Sequence, residues 1–369
     1  MDSPYARELQ IAVPTLQQAS LLAHSIIAST DKGVITKTDA EQLLSPVTVA
    51  DFAVQALLSA TFHHHFPADG LVGEESAAEL RRNPRLLDRV WELLEGVRAR
   101  LSHSEEGGAE NVGRVPQDRD ETCELIDACG RGTPGKGRVW VFDPIDGTQG
   151  YIKNEMYAIN AALLHDGQQV LGIVAAPLLN PDASSPISDK STDPTGRGSL
   201  LFAARGHGAY IRPLHAPSPV TPRRLAPHPP TPTLTDLRLA TCTHVPASGS
   251  VELHRAAADA LGVAFPGCDL LPWVMRWVAL ATGLANTTVW VYDSPKRVGK
   301  IWDHAGAMLM FEEVGGVVTD VNGRAIDFGR GRLMEGNFGF VASLGGVHAE
   351  VLEKVRGVIR EFGKGHFLE

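Results

Sequence analysis

The chain has 369 residues, 43% of them hydrophobic, and a formal charge of −9 from 34 basic and 43 acidic side chains. Single cores stop growing near about 250 to 300 residues, so this length predicts two lobes sharing one cleft. The acidic balance, with Lys and Arg scattered, points away from a nucleic-acid polymer as partner, and no apolar run reaches the ~18 residues of a membrane span.

The opening MDSPYARELQIAVPTLQQASLLAHSII has no basic flank ahead of its apolar residues, so no signal peptide is expected and the setting reads as cytoplasmic. Apolar positions three and four apart predict helices over 10–29 and 49–62. Residues 103–120, charged and glycine-bearing, read as loop. Strand-like runs follow at 139–142, 170–176 and 200–204, with a Ser, Pro and Asp-rich loop over 180–198. The stretch 213–235 is crowded with proline, which resists both sheet ladders and helix interiors. It reads either as a boundary between domains 1–212 and 235–369 or as a surface hairpin loop inside one domain. Beyond it come strands at 237–241, 289–292 and 339–343, and helices at 250–262, 273–285 and 348–361. Cys123, Cys129, Cys242 and Cys268 show no CxxC spacing, and buried free thiols are the expectation over a metal site or a disulfide.

The segment VWVFDPIDGTQG (139–150) carries the most chemistry. An apolar run of the buried type ends in two carboxylates, Asp143 and Asp146, which are costly at a buried strand end unless positive charge meets them. No Lys or Arg lies between them. Pro144 stiffens the turn and Gly147 permits a backbone shape that other residues resist, as in a loop that holds two acids and a carbonyl in place. Oxygen donors of this kind suit a hard divalent ion such as Mg²⁺; a structural Asp-Gly turn is the alternative. LVGEE (71–75) repeats the theme of apolar entry, glycine and paired acids, and IWDHAG (301–306) puts Asp303 at the start of a helix. There an acid also serves as a plain cap that meets the helix dipole. In SPVTVADFAVQ, Asp51 sits inside an amphipathic helix, where a solvated surface acid is the ordinary reading.

Taken together, GEE at 73–75, DPIDGT at 143–148 and WDHAGA at 302–307 resemble the lithium-sensitive, magnesium-dependent phosphatases of the inositol monophosphatase and fructose-1,6-bisphosphatase superfamily. SPVTVAD (45–51), HFPADGLVGEES (65–76), GKGRVWVFDPIDGTQGY (135–151), RGHGAY (205–210), KIWDHAGA (300–307) and IDFGRGR (326–332) are most similar to the 3'(2'),5'-bisphosphate nucleotidases within it. The resemblance implies a layered αβαβα sandwich, an α+β half followed by an α/β half, with the site between them. It implies that Glu74, Asp143, the Ile145 carbonyl, Asp146 and Asp303 hold two or three Mg²⁺ ions. Asp51 and Thr148 match the pair that activates the attacking water, and the amides of Gly147 and Thr148 would receive the phosphate. The implied substrate is a small phosphorylated molecule, 3'-phosphoadenosine 5'-phosphate above all, which would lose its 3'-phosphate.

Several positions depart from that pattern. Gln149 stands where the nucleotidases typically carry Lys, and their clustered His, Ser and Asp appear only as THVPASGSVELHR (243–255). In LLPWVMRWVALATGLA, Arg276 is a stand-in for a Lys and Trp273 replaces a small polar residue, while Trp290 falls where an Arg is expected. A bulky Trp either stacks on a base or closes the pocket. Two alternatives therefore stand beside the nucleotidase reading: the same chemistry on another small phosphate ester, such as an inositol phosphate or a phosphorylated biosynthetic intermediate, and a noncatalytic relative that binds a phosphorylated ligand. Outside these motifs, His63 to His65 read as a surface tract, His304 as a packing or supporting residue, and RRNPR (81–85) and PRR (222–224) as solvated charge.

Overall fold

A strand whose two faces are both apolar has to be covered on either side, and the run around residue 140 has that character. The computed structural model of the protein describes residues 3–27, 32–38, 44–103, 112–216, 220–229, 231–244 and 248–368. The chain opens with α1 (Ala6–Ile27), a two-stranded pair of β1 (Ile35–Thr38) and β2 (Leu44–Val47), and α2 (Val49–His65). Then come β3 (Gly70–Gly73), α3 (Ala78–Arg82), α4 (Pro84–His103), α5 (Arg119–Ala128), β4 (Arg138–Asp146) and α6 (Thr148–Lys153). Next are β5 (Ala158–His165), β6 (Gln168–Ala176), β7 (Ser199–Ala204), β8 (Gly208–Pro213) and β9 (Arg223–Arg224). The remainder is β10 (Ala240–Thr241), α7 (Val251–Leu261), β11 (Cys268–Asp269), α8 (Trp273–Thr282), β12 (Thr288–Trp290), α9 (Ile301–Glu313), β13 (Gly316–Thr319), β14 (Phe340–Leu344) and α10 (His348–Glu361).

Strands β3 to β9 form one seven-stranded sheet in chain order, with β3 parallel to β4 and every other pair antiparallel. Side-chain alternation along β4 sends Trp140 and Phe142 toward α1 and α2, and Val139 and Val141 toward α8 and α9. A second sheet, β12-β14-β13, covers the far side of α8 and α9 with Trp290, Phe340 and Ala342. Its other face, through Val289 and Val341, packs on α7 and α10. Three apolar cores, the middle one lying on both faces of the α8–α9 layer, thus hold together five layers, helix, sheet, helix, sheet, helix, as the expected αβαβα sandwich requires.

Several local expectations meet particular outcomes. Helix α2 is buried almost all round, and Thr48 caps it. The proline-rich stretch contributes its residues 223–224 to the sheet edge as β9, and sheet membership changes between β9 and β10. Residues 104–111, within the loop read at 103–120, and residues 245–247, within the THVPASGSVELHR stretch (243–255), lie outside the described residues. All four cysteines are buried and free, which meets the expectation for them. Strand β5 and helices α4 and α5 are additions the sequence reading did not make. Among the described residues, no helix is long and apolar enough to cross a membrane.

Helix α9 lies directly on the large sheet because two glycines let it. A Cβ on Gly172 of β6 would sit 2.2 Å from the Gly306 carbonyl oxygen. A Cβ on Gly306 would meet Asn160 Oδ1 at 2.2 Å and the Ala161 carbonyl oxygen at 2.8 Å. The Asn160 side chain also donates to the Trp302 carbonyl at 2.6 Å, which ties the first turn of α9 to β5. Overpacking a contact of this kind costs roughly 1 to 3 kcal/mol. Gly306→Ala should therefore lower the urea denaturation midpoint of the metal-free protein by a corresponding amount, and an unchanged midpoint would contradict the close approach.

Candidate active site

Four chain segments converge at the carboxyl end of β4. Strand β3 runs parallel to β4 with Gly73 opposite Phe142, so Glu74, the next residue, emerges beside Asp143. Along the β4–β5 pair, Asp143 opposes Asn160 and Asp146 opposes Ala158, so β4 carries one extra residue. That bulge, with Pro144 inside it, redirects the chain where pairing ends. The Asp143 carboxylate accepts from the Ile145 amide at 3.0 Å. Helix α9 supplies Asp303 from its first turn, and α2 supplies Asp51 from its own.

Carboxylate oxygens of Asp143, Asp146 and Asp303 lie within 4.8 Å of one another. Asp143 is 1% exposed and Asp146 8%. Burial first, then the charges of Glu74, Asp146 and Asp303, push the Asp143 carboxyl well above its usual range. Asp146 is raised well above its range too, by burial and then by the charge of Asp303. Asp303 is pushed up to about 6, by burial and the charge of Glu74 against the opposing effect of Lys300, and it shares a hydrogen bond with Asp143. Acids whose close neighbours are acids bind protons too tightly unless a cation lies among them. An all-oxygen donor set of this kind fits a hard divalent ion. Glu74, part-exposed, faces the same cluster through its charge on all three aspartates.

Asp51 is fully buried, contrary to the ordinary reading of a solvated surface acid. Its Oδ2 accepts from the amide and from the hydroxyl of Thr48, both at 2.7 Å, in a capping box. Its Oδ1 faces Thr148, whose hydroxyl lies 3.4 Å away and 3.2 Å from the Ile145 carbonyl. Gly147 caps α6 with φ of 88°, and a Cβ there would come 2.5 Å from the Pro272 ring. The first turn of α8 abuts the cluster, where the Val274 amide donates to Asp146 Oδ2 at 2.6 Å. Thr48, Val274 and Asn160 were not singled out from the sequence. The TVAD capping signature marks Thr48, and Asn160 is the lone polar side chain in an apolar run.

The residues expected along the substrate side divide. Trp273 is part-exposed, whereas Arg276 is 1% exposed and Trp290 fully enclosed. The Arg276 guanidinium lies 4.0 Å from the Trp273 ring centroid and 4.5 Å from that of Trp290, and it donates to the Leu270 and Leu271 carbonyls. In this structure the cation braces the entry to α8, and neither it nor Trp290 offers surface to a ligand. His304 is buried and accepts from Trp277 Nε1 at 3.0 Å, with burial and then Arg276 holding it well below the usual histidine range. It is a neutral packing residue. His63 and His64 are exposed at the end of α2, and the Asp143, Asp146 and Asp303 group has the metal-holding arrangement among the described residues.

Known proteins match this architecture over nearly its whole length. A sequence profile of the inositol monophosphatase family matches residues 6–360. A 3'(2'),5'-bisphosphate nucleotidase of Emericella nidulans is 32% identical over 365 residues, covering 96% of this chain and 99% of the relative. Its counterpart in Schizosaccharomyces pombe is 32% identical over 361 residues, 95% of each chain. Among solved structures, the Thermotoga maritima IMPase superposes with a TM-score of 0.56 at 16% identity, over 97% of this chain and 100% of that one. Staphylococcal IMPase-I complexed with products gives 0.57 at 18% identity over 95% of each. The profile match and the full-length relatives together establish that the chain belongs to the inositol monophosphatase family.

Proposed function

We propose that the protein is a Mg²⁺-dependent phosphomonoesterase that removes the 3'-phosphate of 3'-phosphoadenosine 5'-phosphate. The observation that carries the reading is the buried acid cluster at the end of β4, in a chain whose full-length relatives from Emericella nidulans and Schizosaccharomyces pombe are named 3'(2'),5'-bisphosphate nucleotidases. Two or three ions would be held by Glu74, Asp143, Asp146, Asp303 and the Ile145 carbonyl. When bound, divalent ions supply positive charge to offset the phosphate's own and acidify water toward neutral pH. The chain's residues do the rest. Thr148 accepts a proton from the attacking water while passing its hydroxyl proton to Asp51 Oδ1, which lies 3.4 Å from it. The amides of Gly147 and Thr148 would receive the phosphate. The setting is cytosolic, a reading supported by four buried free thiols.

One observation favours a second reading, the same chemistry on another small phosphate ester such as an inositol phosphate. Arg276 and Trp290, which stand where the nucleotidases present charge, are enclosed by packing.

Phosphate release from a panel of nucleotide, inositol and sugar phosphates with Mg²⁺ separates the two. The 3',5'-bisphosphate should be turned over fastest, and Li⁺ should slow it; preference for an inositol phosphate would favour the second reading. Asp51→Asn and Thr148→Val should each lower kcat by about a hundredfold or more while Mg²⁺ binding persists. Wild-type turnover in either variant would remove them from the proton path.

A stability measurement tests the metal role separately. Because the folded environment raises the proton affinity of Asp143, its ionised form opposes folding at pH 7, and the opposition fades as the pH falls. Asp143→Asn should therefore raise the melting temperature of the metal-free protein. Mg²⁺ should stabilise the wild type and not the variant. Equal stabilisation of both by Mg²⁺ would exclude Asp143 as a ligand.

A further inference from the structure

The Ser, Pro and Asp-rich loop that joins β6 to β7 carries a buried acid outside the cluster, Asp189, which is 6% exposed. Residues 187–189 run parallel to β11: the Asp269 amide donates to the Ile187 carbonyl at 3.1 Å, and the Asp189 amide to the Asp269 carbonyl at 3.2 Å. A loop of the large sheet is thereby attached to the strand that leads into α8. Asp189 makes two further contacts. Its carbonyl accepts from the Met156 amide at 2.8 Å, and its carboxylate oxygens accept from the Leu271 amide at 2.9 and 3.0 Å. Burial first pushes this carboxyl up to about 6, against the lowering effect of the Leu271 amide. A buried acid is costly without a donor, so the carboxylate and the Leu271 segment hold each other in place.

Both segments bonded to Asp189 press on the loop that follows β4. A Cβ on Gly147 would lie 2.5 Å from the ring of Pro272, the residue after Leu271, and 3.4 Å from the Met156 carbonyl oxygen. One on Gly150 would lie 2.4 Å from that same oxygen. Arg276 holds the carbonyls of Leu270 and Leu271 at 2.8 and 2.9 Å, so with Asp189 on the Leu271 amide the lead into α8 is pinned through both kinds of backbone group. Helix α8 then sends the Val274 amide to Asp146 Oδ2 at 2.6 Å. Partners behind a metal ligand set its orientation and its hold on the ion. Resting on the metal-dependent reading above, we infer that Asp189 is a positioning residue for the metal and phosphate site: it clasps the Met156 and Leu271–Pro272 segments around Gly147 and, through α8, keeps the Val274 amide on Asp146.

Calorimetric titration of the full-length protein with Mn²⁺ at pH 8 tests this, together with hydrogen exchange of the metal-free chain resolved at Val274. Asp189→Ala should weaken Mn²⁺ binding by about tenfold, the lower end of what losing support behind a metal ligand costs. In the same variant the Val274 amide should exchange about fivefold faster or more, because the bond that protects it opens more often. Asp189→Asn keeps an oxygen that accepts from Leu271 and should stay within about twofold of the wild type in both measurements. Asp189→Glu keeps the charge but moves the acceptor outward by a methylene; it should weaken Mn²⁺ binding as well, which preserves the test if the alanine variant does not fold. Asp193, in the same loop, accepts from the Thr195 and Gly198 amides, so Asp193→Ala should lower the melting temperature and leave Mn²⁺ affinity as it is. Wild-type Mn²⁺ affinity in both Asp189→Ala and Asp189→Glu, or an equal loss in Asp193→Ala, overturns the inference. A loss in Asp189→Asn as large as in Asp189→Ala also overturns it, since charge rather than the hydrogen bond would then be responsible. A wild type that binds no Mn²⁺ overturns the metal reading itself; faster Val274 exchange in Asp189→Ala would then still uphold the clasp, and unchanged exchange would overturn it.

Discussion

Gathering carboxylates of like charge at a buried strand end is the constraint from which the rest of this molecule follows. Two unit charges about 4 Å apart repel by roughly 4 kcal/mol at an effective dielectric near 20. Asp143, Asp146 and Asp303 are held that close, with Glu74 adding its charge. Without a cation, the cluster relieves the strain by holding protons, which is the sense of every shift found there. A fold that keeps such a cluster gives up stability at a place where a bound metal ion would recover it, the ordinary relation between a stable scaffold and a functional site.

The architecture supplies the rigidity this requires. The acids enter from β4, from the residue after β3 and from α9, and each of these segments is fixed close to its acid. The β4 bulge orients Asp143 and Asp146, the β3–β4 register places Glu74, and the Gly172–Gly306 contact with the Asn160 bond sets α9 and so Asp303. Asp51 is fixed by Thr48 through Oδ2 and turns its Oδ1 to Thr148. Because α9 is shared between the two sheets, packing in either lobe bears on the geometry of the cluster.

Much of this was legible in the sequence, for identifiable reasons. The acid motifs stand out because each interrupts an apolar run that would otherwise be buried, and β4, β6 and β7 are visible as continuous apolar stretches because both their faces are covered. The long amphipathic α4 went unread because its N-terminal RRNPR registers first as solvated charge; in the fold Arg81 pairs with Asp127 and Arg82 with Glu79. The burial of Asp51 was not legible either, since the residues that cover it arrive from elsewhere in the chain. The same holds for Arg276 and Trp290, whose enclosure depends on α8 and β12 meeting in the core between the two sheets.

The central claim is that a divalent cation sits among the aspartates at the end of β4. Anomalous diffraction from a crystal soaked in Mn²⁺ tests it most directly, since Mn²⁺ takes the oxygen ligands of Mg²⁺ and scatters anomalously. A peak bonded to carboxylate oxygens of Asp143, Asp146 and Asp303 is the expected result. A clear map with no peak among these three side chains at saturating Mn²⁺, or with Mn²⁺ bound only elsewhere, would contradict the account.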